Sequence, residues 1–91
     1  MPTISQFYGI SIMMFYEDHE PPHFHARHAR FKAKFALTDL SVLSSKGDLR
    51  GSDVGRIRSW GRDNQTALVE NWFRCMRGER VRTIEGLKRC S

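Results

Sequence analysis

The sequence predicts an α+β fold, in which an antiparallel sheet of three to four strands is followed by a long C-terminal helix or helix pair packed on one face. Short segments within residues 4–44 alternate apolar and polar side chains, as strands do, whereas residues 53–77 repeat apolar side chains at helical spacing. The 91-residue length suits one domain. We therefore expect a single domain over 1–91, ending in an extended tail at 78–91.

The composition indicates a folded, basic protein. Hydrophobic residues make up 40% of the chain, well above the level typical of disordered proteins. Fifteen Lys and Arg residues against ten Asp and Glu give a net charge of +5. This charge favours contact with nucleic acid, an anionic surface or an acidic protein, although it also serves solubility alone.

The cysteines and the apolar segments indicate the setting of the protein. Cys75 and Cys90 are not spaced like a zinc site or a disulfide framework, and Cys75 falls where a buried helical residue is expected. The longest apolar stretch, residues 12–16, is too short to cross a membrane, and no signal peptide is apparent. We expect a soluble, cytoplasmic protein without membrane contact.

The first predicted strand is interior to the sheet. Residues 1–9 read as a lead-in that ends at a turn or bulge at Gly9. Residues 10–16 are apolar on both faces of a strand, which is typical of a central position. Pro21 and Pro22 then predict a stiff connecting loop, because proline cannot donate a ladder hydrogen bond.

The next two strands, residues 23–28 and 31–37, read as a hairpin. A two-residue loop of Ala29 and Arg30 would place the apolar side chains of both strands on one face and the polar side chains on the other. The polar face would carry His23, His25, Arg27, Lys32 and Lys34. Ala29 and Arg30 are unfavourable in a tight turn that needs positive φ, and a longer loop with a bulge would shift this register.

Beyond the hairpin, residues 41–44 predict a short edge strand and residues 46–48 a turn. Ser52 or Asp53 is expected to cap the helix that follows. The helical spacing continues to about residue 77 but is expected to kink at 61–64.

The C-terminal end of the helix is predicted at Gly78, because glycine readily adopts the left-handed conformation that ends helices. After it, Val81, Ile84 and Leu87 recur every three residues. We interpret this segment as an extended tail laid on the domain.

Candidate functional residues cluster in the histidine-rich run at 16–28, which holds all four histidines and two of the three prolines. His23 and His25 share a strand face, and His19 with Asp18 could join them in a zinc- or nickel-like ligand set. Neighbouring cations would repel such an ion. We therefore predict neither a metal site nor a cofactor.

Two other interpretations of this run remain open. His23, His25 and His19 are candidate proton-transfer groups for metal-independent cleavage of RNA, a reaction that uses a base, an acid and cations. Arg27, Lys32 and Lys34 are the candidate phosphate ligands. Alternatively, the cationic face, with Arg56, Arg58 and Arg62 of the helix, binds phosphates without catalysing a reaction.

These residues resemble a known bacterial family, domain of unknown function 4160. The specific part of the resemblance is His19, Pro21, Pro22, His23, Phe24 and His25. Supporting matches across the chain include Pro2, Thr3, Ile4, Phe7, Gly9, Ile12, Met14, Trp60, Leu68, Asn71, Trp72, Gly78 and Ile84.

The resemblance implies a small cytoplasmic protein, often encoded beside a small protein of domain of unknown function 2442. Some relatives are regarded as toxins of toxin-antitoxin modules, and no settled mechanism comes with the family. We expect the toxin component of a type II module that acts on RNA or the translation machinery, with an acidic antitoxin-like partner. The alternative is a non-enzymatic regulatory module that binds nucleic acid or protein.

Overall fold

The computed structural model describes residues 3–16 and 19–87, which form an antiparallel sheet followed by two helices. The five strands lie in chain order across the sheet. The elements are β1 (Thr3–Phe7), β2 (Ile10–Met13), β3 (His23–Arg27), β4 (Phe31–Ala36), β5 (Val42–Gly47), α1 (Gly51–Asp63) and α2 (Gln65–Met76). The predicted α+β class, antiparallel sheet and C-terminal helix pair are confirmed, but the predicted number of strands was wrong.

The additional strand is β1, whose residues were predicted to form a lead-in before the first strand. Tyr8 and Gly9, with φ of 51° and 74°, form the turn of a β1–β2 hairpin. The register shifts between Thr3 and Ser5, so Ile4 and Ser5 are both buried although they are adjacent in sequence. This irregularity interrupts the two-residue alternation by which a half-buried strand is recognised.

The β3–β4 hairpin has the register predicted for a two-residue loop, not the shifted register of a longer loop with a bulge. Phe24 pairs with Phe35, and His25 pairs with Lys34. The backbone N–H of His28 donates to the Phe31 carbonyl at 2.9 Å, and the Phe31 N–H donates back at 3.3 Å. These bonds close the two-residue loop of Ala29 and Arg30 without positive φ at either residue.

The first helix begins earlier than predicted. Arg50, not Ser52 or Asp53, is its N-cap residue, and Asp53 lies in the first turn, where its carboxylate accepts a hydrogen bond from the Arg50 backbone N–H at 3.0 Å. A carboxylate at this position compensates an unsatisfied N–H group and the helix dipole. Arg30 of the β3–β4 loop also binds Asp53, so this carboxylate joins the hairpin to α1.

The predicted kink corresponds to the break between α1 and α2 at Asn64. Gly61, just before the break, is buried against Leu40, and a Cβ atom at Gly61 would lie 2.8 Å from the Leu40 Cδ2 atom. Glycine therefore permits the close approach of α1 to the β4–β5 connection. At the other end of α2, Gly78 adopts a φ of 70°, as expected for a residue that ends a helix.

The core lies between one face of the sheet and the helices. The Trp60 ring of α1 lies 5.2 Å from the Phe7 ring and 6.0 Å from the Phe24 ring. From α2, Leu68 and Cys75 join the same cluster and are fully buried. The helices thus cover the face to which Phe24 points.

The tail that follows α2 contacts both the sheet and the helices. The Ile84 backbone N–H donates to the Ile4 carbonyl of β1 at 2.8 Å, and the Trp60 indole N–H donates to the Glu85 carbonyl at 2.9 Å. Asn71 of α2 exchanges two hydrogen bonds with the backbone of Arg82. The tail therefore lies along β1, next to the helices.

Candidate nucleic-acid interface

The sheet face that points away from Phe24 and Trp60 carries a row of cations. Arg27, Lys32 and Lys46 are directly opposite one another on β3, β4 and β5, and all three are exposed. In the neighbouring row, His25 is opposite the exposed Lys34. We call these five side chains the open face.

The cations of the open face have no acidic partner in the part of the chain that the structure describes. No carboxylate there lies within 4.0 Å of Arg27, Lys32, Lys34 or Lys46. Other cations of the protein do have such partners; Arg77, for example, lies 2.7 Å from Glu79. The charges of these four side chains are thus available to a ligand.

Like charges opposite one another on neighbouring strands are unfavourable. Residues paired across antiparallel strands lie about 5 Å apart at the backbone, and two unit charges at that distance in water repel by about 0.8 kcal/mol. Lys32 has such a neighbour on each side, Arg27 and Lys46. A ligand with several negative charges would remove this repulsion, so the row is suited to a polyanion.

His25 is the histidine that lies among these cations. Its ring is half-buried, 4.2 Å from the Phe15 ring in an edge-on arrangement and 5.0 Å from the His23 ring. On the sheet it stands between Met13 and Lys34. A phosphate held by Lys34 would therefore be close to the His25 imidazole.

His23 lies on the same strand but is enclosed. It is 5% exposed, its ring is 5.5 Å from the Trp72 ring of α2, and its Nδ1–H donates to the Pro21 carbonyl at 2.7 Å. In this arrangement the ring is closed to a substrate. Of the two histidines on β3 that were predicted to contact a ligand, only His25 is accessible.

The other two histidines lie outside the open face. His19 is exposed in the loop before β3. His28 stacks on Phe31, with 5.2 Å between ring centroids, and its Nδ1 atom accepts a hydrogen bond from the Arg30 backbone N–H. Asp18, the carboxylate considered as a metal ligand, lies outside the described residues. Among residues 3–16 and 19–87, no group of three His, Cys, Asp or Glu side chains is arranged to hold a metal ion.

The helical arginines do not extend the open face. Arg56 stacks over the Tyr8 ring at 4.5 Å, and Arg58 donates from Nε to the Leu40 carbonyl. Arg62 is exposed near the end of α1, in the layer that covers the opposite side of the sheet. The open face therefore consists of strand residues alone.

Lys46 was not among the predicted site residues, because Lys46, Gly47 and Asp48 together predicted a turn. The strand instead continues to Gly47, where a φ of 86° ends it. Extending the alternation of the edge strand by two residues from Ser44 would have placed Lys46 beside Lys32. The signal for this strand residue was that Lys46, a cation, lies two residues after the polar strand residue Ser44.

A cavity beside α2 differs from the open face in its chemistry. It is an apolar groove of about 680 Å³ between α2 and the loop before β3, lined by Leu37, Val69, Trp72 and Phe73. Glu20 is the charged residue on the loop side of this groove. None of the candidate histidines or phosphate ligands contributes to its walls, and it does not suit an anionic ligand.

Comparison with known proteins identifies the chain by family. No curated protein and no solved structure shows significant similarity to it. No helix within the described residues has the length and apolar character needed to span a bilayer. A family model described as "Domain of unknown function (DUF4160)" matches residues 9–73, a segment that contains the histidine run, β2 to β5, α1 and most of α2. The chain therefore belongs to the DUF4160 family, as the resemblance predicted.

Proposed function

We propose that this protein binds RNA through the phosphate groups, on the open face of its sheet. The observation that carries the proposal is the row of Arg27, Lys32 and Lys46, three directly opposed cations without an acidic partner among the described residues. Neighbouring strands lie about 4.8 Å apart, so the row extends across about 10 Å. This length suits two or three phosphates of a strand that crosses the sheet.

The accessibility of the histidines favours binding over cleavage. Transfer of a proton to and from the reacting atoms needs two groups that can reach the substrate. On the open face His25 is such a group, whereas Trp72 and the Pro21 carbonyl enclose His23. We assign His25 a role as a hydrogen-bond donor to phosphate beside Lys34, and the metal-independent ribonuclease activity stays a prediction.

The test compares single glutamine variants that each remove one positive charge. Binding of a fluorescein-labelled, unstructured 12-nucleotide RNA is measured by anisotropy between 50 and 200 mM KCl. Lys32→Gln is expected to weaken binding about 5-fold at 100 mM and to reduce the slope of log affinity against log salt by about 0.7, which corresponds to one lost phosphate contact. The melting temperature should not fall, because the substitution also removes repulsion from its neighbours.

Arg62→Gln is the matched control, because Arg62 is an exposed cation of the helical layer. It is expected to change affinity less than 2-fold, with an unchanged salt slope. If both variants weaken binding equally, net charge rather than the open face attracts RNA, and the proposal is wrong.

For the biological role, we propose the toxin component of a type II toxin-antitoxin module, with RNA as the target. Two features support this proposal: the chain belongs to a family in which some relatives are regarded as toxins, and its sheet carries the cationic face. Inducible expression of the wild type is expected to slow growth, and the Lys32→Gln and Lys46→Gln double variant is expected to relieve this at equal protein level. Equal growth with and without the wild type would leave the alternative, a regulatory nucleic-acid-binding module.

A further inference from the structure

The outer edge of β5 is open to a further strand. β5 is the last strand in the sheet order, and all six of its residues are exposed. The opposite edge strand, β1, is contacted by the tail through the Ile84 N–H and the Ile4 carbonyl. Within the described part of the chain, β5 is thus the edge at which backbone groups remain available.

The ladder defines which backbone groups point outward. Asp48 donates its backbone N–H to the Arg30 carbonyl at 2.8 Å. Asp48 and Arg30 are therefore a hydrogen-bonded pair of the ladder. Such pairs recur at every second residue of an antiparallel ladder, so the pair of Lys46 and Lys32, two residues along, is also hydrogen-bonded, and the backbone groups of Lys46 point toward β4. The N–H and C=O groups of Ser45 and Gly47 therefore point away from β4.

The side chains on this edge indicate the chemistry of a matching strand. The cation row of the open face ends at Lys46, so a residue on an added strand would lie about 5 Å from Lys46 at the backbone. A carboxylate there would complement the row. At the other end of β5, Leu43 is 44% exposed and would accept an apolar side chain.

We propose that the outer edge of β5 docks an extended acidic segment of a partner protein, which adds as a sixth strand. The segment places a carboxylate beside Lys46 and an apolar side chain beside Leu43, as an alternating acidic and apolar sequence does. A second copy of the chain fits less well, because it would add another net charge of +5 to the edge of an already cationic sheet. The proposal shares Lys46 with RNA binding but does not depend on it.

The first test uses a synthetic nine-residue peptide with blocked ends, in which glutamate alternates with valine, and a matched peptide with lysine in place of glutamate. Amide hydrogen exchange of the ¹⁵N-labelled protein is followed by NMR. With 1 mM of the glutamate peptide, the Ser45 and Gly47 amides are expected to exchange at least 10-fold more slowly, because each acquires a hydrogen-bond acceptor. The lysine peptide should leave both rates unchanged.

The second test removes one outward backbone donor. Ser45→Pro deletes the outward N–H without removing a bond to β4, and it is expected to abolish the protection of Gly47 by the glutamate peptide. Ser45→Thr keeps the N–H and should behave as the wild type. Thermal unfolding and the β4 amide shifts establish that the proline variant is folded; if it is not, Lys46→Glu replaces it, with at least a 5-fold loss of peptide affinity expected.

Three results would overturn the proposal. The first is an unchanged exchange rate of the Ser45 and Gly47 amides at 1 mM glutamate peptide, and the second is equal protection of these amides by both peptides. The third is protection of these amides without peptide, together with a dimer mass in sedimentation, which would assign the edge to a second copy. RNA binding is judged separately, because Ser45→Pro retains every cation of the open face. Its RNA affinity is expected to match the wild type even where peptide binding is lost.

Discussion

Replacing Asp53 with asparagine is expected to lower the free energy of unfolding by about 2–3 kcal/mol. The carboxylate is 2% exposed and accepts hydrogen bonds from Arg30 Nη1 at 3.2 Å, Arg30 Nη2 at 3.1 Å and the Arg50 backbone N–H at 3.0 Å. An asparagine side chain carries no charge and can accept through one oxygen alone. The guanidinium of Arg30 would lose its bidentate partner, and α1 would lose a tie to the β3–β4 loop.

Urea unfolding, followed by the fluorescence of Trp60 and Trp72, measures this loss as a lower midpoint at constant slope. Asp48→Asn is the matched control, because that carboxylate is 57% exposed and lies 3.7 Å from the same arginine. Exposed ion pairs contribute little, so its cost should stay below about 0.5 kcal/mol. Equal costs for the two variants would show that the enclosed position of Asp53 has no special role.

The contribution of Asp53 should also depend on pH in a defined direction. Burial by itself raises the pKa of Asp53, but the hydrogen bonds from Arg30 and from the Arg50 backbone outweigh this effect and hold the pKa below its usual value of 3.8. A carboxyl group with a lower pKa in the folded state stabilises the protein above its unfolded pKa, and this stabilisation disappears as the pH falls through the folded pKa. The stability difference between wild type and Asp53→Asn is therefore expected to be complete at pH 7 and 5 and smaller at pH 3. A difference that grows at pH 3 would contradict the assignment.

Replacing Asn71 with leucine is expected to release the tail from α2. The Asn71 side chain is 1% exposed; its Nδ2 donates to the Arg82 carbonyl at 2.8 Å, and its Oδ1 accepts from the Arg82 N–H at 2.9 Å and from Arg74 Nη1 at 3.0 Å. Leucine has a similar volume but leaves these groups without their partner, which costs about 2 kcal/mol. Trypsin should then cleave after Arg80 and Arg82 at least 10-fold faster, because a protease needs an extended, detached segment.

Glu70→Gln serves as the control for Asn71→Leu. Glu70 lies on the exposed side of α2 and its carboxylate is 3.7 Å from Arg74, so its loss should change cleavage less than 2-fold. Urea unfolding of Asn71→Leu distinguishes local release from global unfolding. Cleavage at the wild-type rate would mean that the contacts of Ile84 and Glu85 hold the tail without Asn71.

Several elements were predictable because their signals are local. Alternation along β3 and β4 separated the apolar from the polar side chains, and a loop of two residues places His25 opposite Lys34, as observed. The choice between this loop and a longer one was left open, because Ala29 and Arg30 are unfavourable in a tight turn. The left-handed conformation of Gly78 and the helix break at Asn64 follow from residues that favour helix ends. In each case the side chains that decide the structure lie within a few residues of it.

Other elements depended on irregular backbone or on distant residues. The register shift near Ser5 concealed β1, and the cation at Lys46 looked like part of a turn. His23 was predicted to face a ligand beside His25, yet Trp72 of α2 lies against its ring. Nothing in the alternation of β3 reports a contact with a residue almost fifty positions later in the chain.

The sequence by itself determined the family of the protein and the set of polar side chains on one face of β3 and β4, because strand alternation is a property of the backbone. Only the tertiary structure decided that the cations of this face stay exposed while His23 is closed off. The helices pack on the opposite, apolar face, where burial lowers the free energy most, and Trp72 at the end of β3 encloses that histidine. The open face is thus the part of the histidine-rich hairpin that the helices leave uncovered.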